Sequence, residues 1–280
     1  MKTFMMTLCT CLLVSGAFAQ RISVAEIQET RSTGDSFFGN RCTVKLRLAG
    51  DDVRRYKYVK LNALTEAEDD QGLDLQNASD WDFVYRLIEG ATADVELTLL
   101  PASRKAEVIS KLSGEIMLFS PSEATGSLIN VASFQGKPNT NLLPAKSPFQ
   151  MVYLTKEAYE NFVKTNKQKT EAELKKLPEA TRALTQALMG IADIFNYYVS
   201  DDPNQLMFLI TGDRSKMVAV TFMDENGQEI EGNGSSIGGD GLAIYYFSEQ
   251  PNPKWKMSVM LETEKAVKKL PFNFKDVDLP

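Results

Sequence analysis

The chain of 280 residues contains no histidine. This absence excludes Ser-His-Asp and Cys-His catalysis and the usual zinc sites, because each of them depends on an imidazole group. Any catalysis would have to rest on carboxylates, Lys, Tyr, Ser or Thr. The residue inventory therefore favours a non-catalytic protein that carries no cofactor.

Cysteine is also scarce, with three in the chain. Cys9 and Cys11 lie in an N-terminal apolar run, so a mature protein without this run would keep only Cys42 and could form no internal disulfide. Cys42 shares strand parity with Val44 and Leu46, which places it on the core side of a predicted strand. Burial raises the pKa of a thiol, so we expect Cys42 to be unreactive.

Basic residues are outnumbered, because 31 Lys and Arg stand against 37 Asp and Glu and leave a formal net charge of −6. Binding to a phosphate backbone needs clustered Lys and Arg, so this balance argues against a nucleic-acid partner. It also disfavours docking on anionic lipid.

The N-terminal apolar run covers residues 4–14 and follows the positive charge of Lys2. Ala17-Phe18-Ala19 has the small-x-small pattern that a signal peptidase needs, and it predicts cleavage between Ala19 and Gln20. The run is too short to span a bilayer as a stable helix. We therefore expect a secreted or periplasmic protein with no stable membrane anchor after cleavage.

Apolar and polar residues alternate on both sides of the middle of the chain, whereas the middle is rich in Ala, Glu, Lys and Leu. A period of two without intervening helices is typical of antiparallel sandwiches, and the middle predicts helices. The predicted fold is mostly β, with two immunoglobulin-like antiparallel β-sandwich domains and an intervening α-helical segment. The predicted bounds are 1–19 for the signal peptide, 20–150 for the N-terminal sandwich, 151–203 for the helical segment and 204–280 for the C-terminal sandwich.

The predicted helical segment carries an apolar stripe that includes Leu184, Leu188, Ile191 and Phe195. Steps of three and four residues place these side chains on one helix face, which must be buried against something. Two interpretations stay open. The stripe packs on a sandwich of the same chain, or it forms the interface with a partner chain.

The two β regions contain segments of similar pattern. Residues 95–100 lead through Lys105-Ala106 into an apolar segment, and residues 255–261 lead through Lys265-Ala266 into another. This similarity predicts an internal duplication.

Two further segments carry a resemblance to a known group of proteins. They are the run Arg104-Lys105-Ala106 with Ile109, Leu112, Gly114 and Ile116, and the ending from Leu270-Pro271-Phe272 to Leu279-Pro280. In these segments the chain resembles uncharacterised secreted bacterial proteins with immunoglobulin-like β-sandwich domains. The resemblance covers part of the chain and implies the fold and an envelope setting, without an activity.

An acidic stretch contains Asp69, Asp70 and Asp74, with Gly72 between them. Calcium prefers several oxygen ligands on a turn-rich loop, so these three residues are candidate calcium ligands. Their spacing differs from that of an EF-hand loop, and a solvated loop between strands is the other interpretation.

These features favour an exported, non-catalytic protein of the cell envelope. We expect a binding, adhesion or structural module that acts through its sandwich surfaces or its helical segment on an unknown protein or glycan partner. The alternative is a carboxylate-based hydrolase acting on glycans, which needs two carboxylates facing each other across a cleft.

Overall fold

A computed structural model describes residues 21–32, 39–77, 83–166, 173, 176–191, 202–238 and 241–280. Ala19 and Gln20 of the predicted cleavage site, and Phe195 of the apolar stripe, lie outside the described residues. The described strands are β1 (Arg21–Thr30), β2 (Arg41–Ala49), β3 (Tyr58–Asp69), β4 (Arg86–Leu87), β5 (Thr92–Leu99), β6 (Val108–Phe119), β7 (Leu128–Val131), β8 (Phe149–Leu154), β9 (Gln205–Gly212), β10 (Met217–Met223), β11 (Glu229–Ile230), β12 (Gly234–Ile237), β13 (Leu242–Tyr246), β14 (Lys256–Leu261) and β15 (Val267–Asp278). The described helices are α1 (Asp51–Arg55), α2 (Lys156–Asn166) and α3 (Glu179–Gly190).

The protein is mostly β, as predicted, and its strands form antiparallel sheets. The chain divides into two compact units. Unit 1 contains Met1–Ser120 together with Lys268–Pro280, and unit 2 contains Pro121–Val267. The predicted bounds at 150 and 204 do not coincide with this division. The difference arises because β8 pairs with β9 across the helical segment, whereas the late strand β15 pairs with β6.

Unit 1 has two sheets, with strand orders β1-β2-β5 and β15-β6-β3-β4. Alternate residues of both sheets point inward and form one apolar core, to which β2 contributes Cys42, Val44, Leu46 and Leu48. These four side chains are fully buried, so the predicted position of Cys42 on the core side is confirmed.

Unit 2 has two four-stranded sheets, with orders β11-β10-β14-β7 and β12-β13-β9-β8. Phe134, Phe208 and Phe222 belong to the apolar core that residues of both sheets form. A separate apolar cluster joins β8, β9 and β13 to α2 and α3. The continuous apolar sequence of β9 follows from its position, because both of its faces are covered.

The apolar stripe of the helical segment packs inside unit 2. Leu188 and Ile191 are buried, and Leu184 is half-buried against the same cluster, which also contains Val152 and Leu209. The partner-interface hypothesis is therefore wrong for the buried Leu188 and Ile191, because the sheet of their own chain covers them, whereas Leu184 keeps part of its surface exposed. The packing interpretation is the correct one for this part of the stripe.

The segments that suggested a duplication occupy different structural positions. β5 and β6 both lie in unit 1, whereas β14 belongs to unit 2 and β15 to unit 1 apart from its first residue. The strand orders of the two units also differ. Alternating hydrophobicity explains the similarity of these segments, since any half-buried strand has this pattern.

No helix of the described residues is long and apolar enough to cross a membrane.

Most of the two segments that carry the resemblance lies on two neighbouring strands, β6 and β15. Gly114 of β6 faces Phe272 of β15, and a Cβ atom at Gly114 would lie 2.7 Å from the Phe272 ring and would collide with the Ala63 carbonyl oxygen. Lys269 of β15 also pairs with Glu115 of β6 at 3.0 Å. Glycine is therefore required at position 114 so that the aromatic ring can cross the strand.

We expect Gly114→Ala to lower the free energy of unfolding by about 2 kcal/mol, because the added methyl group forces Phe272 and the β3 backbone apart. Urea unfolding of the two proteins measures the difference. Gly136→Ala is the matched control, because nothing lies within 4 Å of a Cβ atom there. Equal midpoints for wild type and Gly114→Ala would contradict this packing.

Candidate functional site

The acidic stretch of unit 1 organises a loop. The side chain of Asp69 is 1% exposed. Its Oδ1 accepts hydrogen bonds from the backbone N–H groups of Gln71 and Leu73, each at 2.9 Å, and its Oδ2 accepts one from Ser103 at 2.8 Å. The carboxylate thus joins the turn after β3 to the loop between β5 and β6.

Asp70 and Asp74 are exposed, and each accepts a hydrogen bond from a different backbone N–H, that of Glu107 and that of Gln76. Within the described ranges, no three Asp, Glu, Cys or His side chains come together in a way that could hold a metal ion. The structure therefore does not bring the three candidate calcium ligands together. The interpretation as a solvated loop is correct for Asp70 and Asp74. It is wrong for Asp69, which is buried and holds two loops together.

The environment of Asp69 also affects its titration. Burial acts to raise the pKa of this carboxyl, but the hydrogen bonds from Ser103, Leu73 and Gln71 outweigh it and lower the pKa below the ordinary 3.8. Asp69 is thus held in its ionised form.

Cys42 is the one cysteine among the described residues, and it is fully buried. Burial and the nearby Glu29 carboxylate raise the pKa of its thiol to about 11, although Arg31 acts in the opposite direction. A buried thiol with this pKa is a poor nucleophile at neutral pH. Cys42 therefore belongs to the core of unit 1.

A groove of about 920 Å³ lies in unit 2, beside β7. We call it the β7 groove. Its apolar lining comes from Leu128 and Ile129 of β7, Leu261 at the end of β14, and Pro144 and Pro148 before β8. β7 is the outermost strand of its sheet. The groove therefore lies where one sheet ends and its apolar side chains are left partly open.

The far wall of the β7 groove depends on two tight contacts. Ser147 donates its backbone N–H to the Pro144 carbonyl oxygen at 2.9 Å, which closes a turn. The backbone N–H of Asp213 donates to the Pro148 carbonyl oxygen at 3.0 Å. Gly212 has a φ of +101°, and a Cβ atom there would lie 2.8 Å from the Pro148 carbonyl oxygen. Glycine at this position lets β9 end close against the chain that enters β8.

Charged side chains surround the apolar lining of the β7 groove: Glu123, Lys146, Asp213, Lys216, Glu262 and Glu264. Lys216 pairs with Glu262 at 3.8 Å. Glu123 accepts a hydrogen bond from the Asn130 side chain at 2.6 Å. Asp213 accepts hydrogen bonds from the backbone and hydroxyl of Ser215. Three of the four carboxylates are thus engaged by neighbouring groups.

A second opening, which we call the Tyr245 pocket, has a volume of about 320 Å³. It lies between β11 and β12, and its lining includes Glu229, Glu231, Ser235 and Tyr245. Burial raises the pKa of Tyr245 to about 12, so its hydroxyl stays protonated at neutral pH. The pocket thus holds two carboxylates, Glu229 and Glu231 of one stretch of the chain, together with an aromatic side chain.

Neither opening was predicted from the sequence. The β7 groove joins residues of four separate stretches of the chain, and its two prolines were the one local signal, because they interrupt the pattern before β8. Comparison of the chain with protein-family models, curated proteins and solved structures finds no match.

We expect Asp69→Asn to lower the free energy of unfolding by about 2 kcal/mol at pH 7, because an amide cannot accept all three hydrogen bonds. The stabilisation by Asp69 is present above the pKa of the unfolded carboxyl, about 3.9, and is lost as the pH falls through the lower folded value. Urea unfolding from pH 7 to pH 3 should show that the free energies of unfolding of wild type and Asp69→Asn approach each other as the pH falls. Asp74→Asn, at an exposed position, is the control. If the difference in the free energy of unfolding stays constant down to pH 3, the ionised carboxylate is not the cause of the stabilisation.

In a chain shortened to begin at Gln20, which removes Cys9 and Cys11, the thiol of Cys42 should resist an aromatic disulfide reagent at pH 8. Access is blocked, and a pKa of about 11 leaves about one thiol in a thousand ionised. Full reaction in guanidinium chloride is the control, measured by absorbance of the released thiolate. Rapid stoichiometric reaction of the folded protein would mean that Cys42 is accessible.

Proposed function

We propose that this protein is an exported, non-catalytic binding module of the cell envelope, and that the β7 groove is its binding site. The export part rests on residues 1–19, whose apolar run and Ala17-Phe18-Ala19 pattern fit a secretory signal. Cleavage after Ala19 leaves every strand of unit 1 intact, because β1 begins at Arg21.

The strand order of unit 1 supports an immunoglobulin-like sandwich. The sheet β1-β2-β5 corresponds to strands A, B and E of such a domain, and β15-β6-β3-β4 corresponds to G, F, C and C′. The strand order of unit 2 is different, so we limit the immunoglobulin-like assignment to unit 1. Immunoglobulin-like sandwiches support many binding functions through sites at their edges and loops, which agrees with a binding role but does not define it.

The assignment of the β7 groove as the binding site rests on one observation. An opening of about 920 Å³ combines an apolar lining with charged groups that are mostly paired within the protein. Natural ligand sites have this composition: apolar walls provide the affinity and a few polar groups fix the orientation.

A charge in the apolar lining should remove binding. A library of random dodecapeptides displayed on phage and an array of immobilised bacterial glycans are the probes for the mature protein. We expect a ligand of either kind to lose at least tenfold in affinity with Leu128→Lys, because the ammonium group must be desolvated when the groove fills. Ile237→Lys, at an exposed apolar residue of β12, is the control that should keep binding.

The proposal is overturned if every captured ligand binds Leu128→Lys and wild type equally well, with both proteins melting at similar temperatures. It is also overturned if neither the library nor the array contains a ligand for the mature protein.

The Tyr245 pocket favours a second candidate function, hydrolysis of glycans. Glu229 and Glu231 would act as the acid and the base or nucleophile that glycoside cleavage requires. Incubation with cell-wall and capsular polysaccharides, followed by assay of new reducing ends, tests it. New reducing ends that appear with wild type and not with Glu231→Gln would support the hydrolase. If wild type produces no reducing ends from any polysaccharide, the hydrolase is rejected.

A further inference from the structure

We infer that the ligand of the β7 groove is an extended polypeptide with basic side chains, bound as an additional strand along the free edge of β7. This inference rests on the proposed binding function of the groove and names the class of its ligand. Three observations carry it: the direction of the β7 backbone, the residue types of the lining, and the balance of charge.

The hydrogen bonds of β7 show which backbone groups point away from its sheet. Leu261 of β14 donates its N–H to the Ser127 carbonyl oxygen at 2.9 Å, so residue 127 bonds toward β14. Antiparallel strands alternate between residues that bond to the neighbour and residues that face away. The backbone groups of Leu128 and Asn130 therefore point away from β14. On that side the Leu128 N–H donates a hydrogen bond to the Ser122 carbonyl oxygen at 3.2 Å.

No strand among the described residues pairs with this outer edge. The carbonyl group of Leu128 and both backbone groups of Asn130 make no hydrogen bond to any residue that the structure describes. An added strand would supply the missing donors and acceptors, which is the way in which many domains bind extended peptides at a sheet edge.

The lining of the groove distinguishes a peptide from a glycan. Its apolar side chains are aliphatic or proline, and the lining contains no aromatic residue. Sugar rings bind well to flat aromatic faces, which this groove lacks, whereas aliphatic side chains of a peptide suit a lining of Leu128, Ile129 and Leu261. Side chains of a strand alternate between two faces, so every second ligand residue would contact this lining.

The charge of the groove defines the remaining ligand residues. Four carboxylates face two ammonium groups around the opening. Lys216 is already paired with Glu262, whereas Glu123 and Glu264 have no ion pair with a described residue. A ligand with Lys or Arg beside its apolar residues would neutralise this excess, and an acidic ligand would be repelled.

Short capped peptides of known sequence test the inference directly. The first probe alternates three valines with three lysines, and the second replaces the lysines by glutamates. Fluorescence anisotropy of labelled peptides with the full mature protein gives the affinities. We expect the lysine peptide to bind at least tenfold more tightly than the glutamate peptide, and Glu264→Gln to weaken its binding about threefold.

N-methylation of the lysine peptide tests pairing with the strand edge. One version carries methyl groups on the valine amides, and the other carries them on the lysine amides. In an added strand one set of N–H groups faces β7 and the other faces away, so one version should lose binding at least tenfold and the other should keep it. Equal affinities of the two versions would overturn strand addition.

The two proposals fail separately in these experiments. If the alternating peptides do not bind, but a library peptide or glycan binds in a manner that depends on Leu128, the ligand class is wrong and the groove remains the binding site. If no binding of any probe depends on Leu128, both proposals are wrong.

Discussion

The structure of unit 1 depends on the pairing of β6 with β15, two strands that are neighbours in the sheet and distant in the chain. Phe272 crosses Gly114 at this pairing, and Lys269 forms an ion pair with Glu115. β15 also adds Leu270 and Phe272 to the apolar core. Without this strand one sheet of the unit would lose its edge, and the core would be open on one side. All of unit 2 is inserted at this pairing.

The insertion is compatible with the packing of unit 2, whose own ends are held together. β7 near its start pairs with β14 near its end, and Thr263 donates a hydrogen bond to the Thr125 carbonyl oxygen at 3.1 Å. The same arrangement places β7 at the edge of its sheet, with its apolar side chains beside the turn at Pro144. The β7 groove is therefore a consequence of the way in which the inserted segment closes on itself.

Properties that depend on neighbouring residues could be predicted from the sequence. A period of two identified the β character and the buried position of Cys42, and steps of three and four residues identified the helix face that contains Leu188 and Ile191. Properties that depend on distant partners could not. Nothing in the composition of β15 indicates that it pairs with β6 and not with β14. Asp69 belongs to an acidic stretch that looks solvated, and its burial depends on Ser103, a residue of a different loop. The β7 groove was missed for the same reason.

The position of β15, which follows the whole of unit 2 in the chain, has a consequence for the time course of folding. Synthesis proceeds from the N-terminus at about 5–20 residues per second, so the strands of unit 1 that precede the insertion wait on the order of ten seconds for their last partner. During this interval the edge of β6 is unpaired, and an unpaired edge attracts other strands. Unit 2 is complete before the final strand emerges. Unit 1, whose other strands precede unit 2 in the chain, is therefore the last to reach its native state, and those strands need protection from aggregation until β15 has emerged.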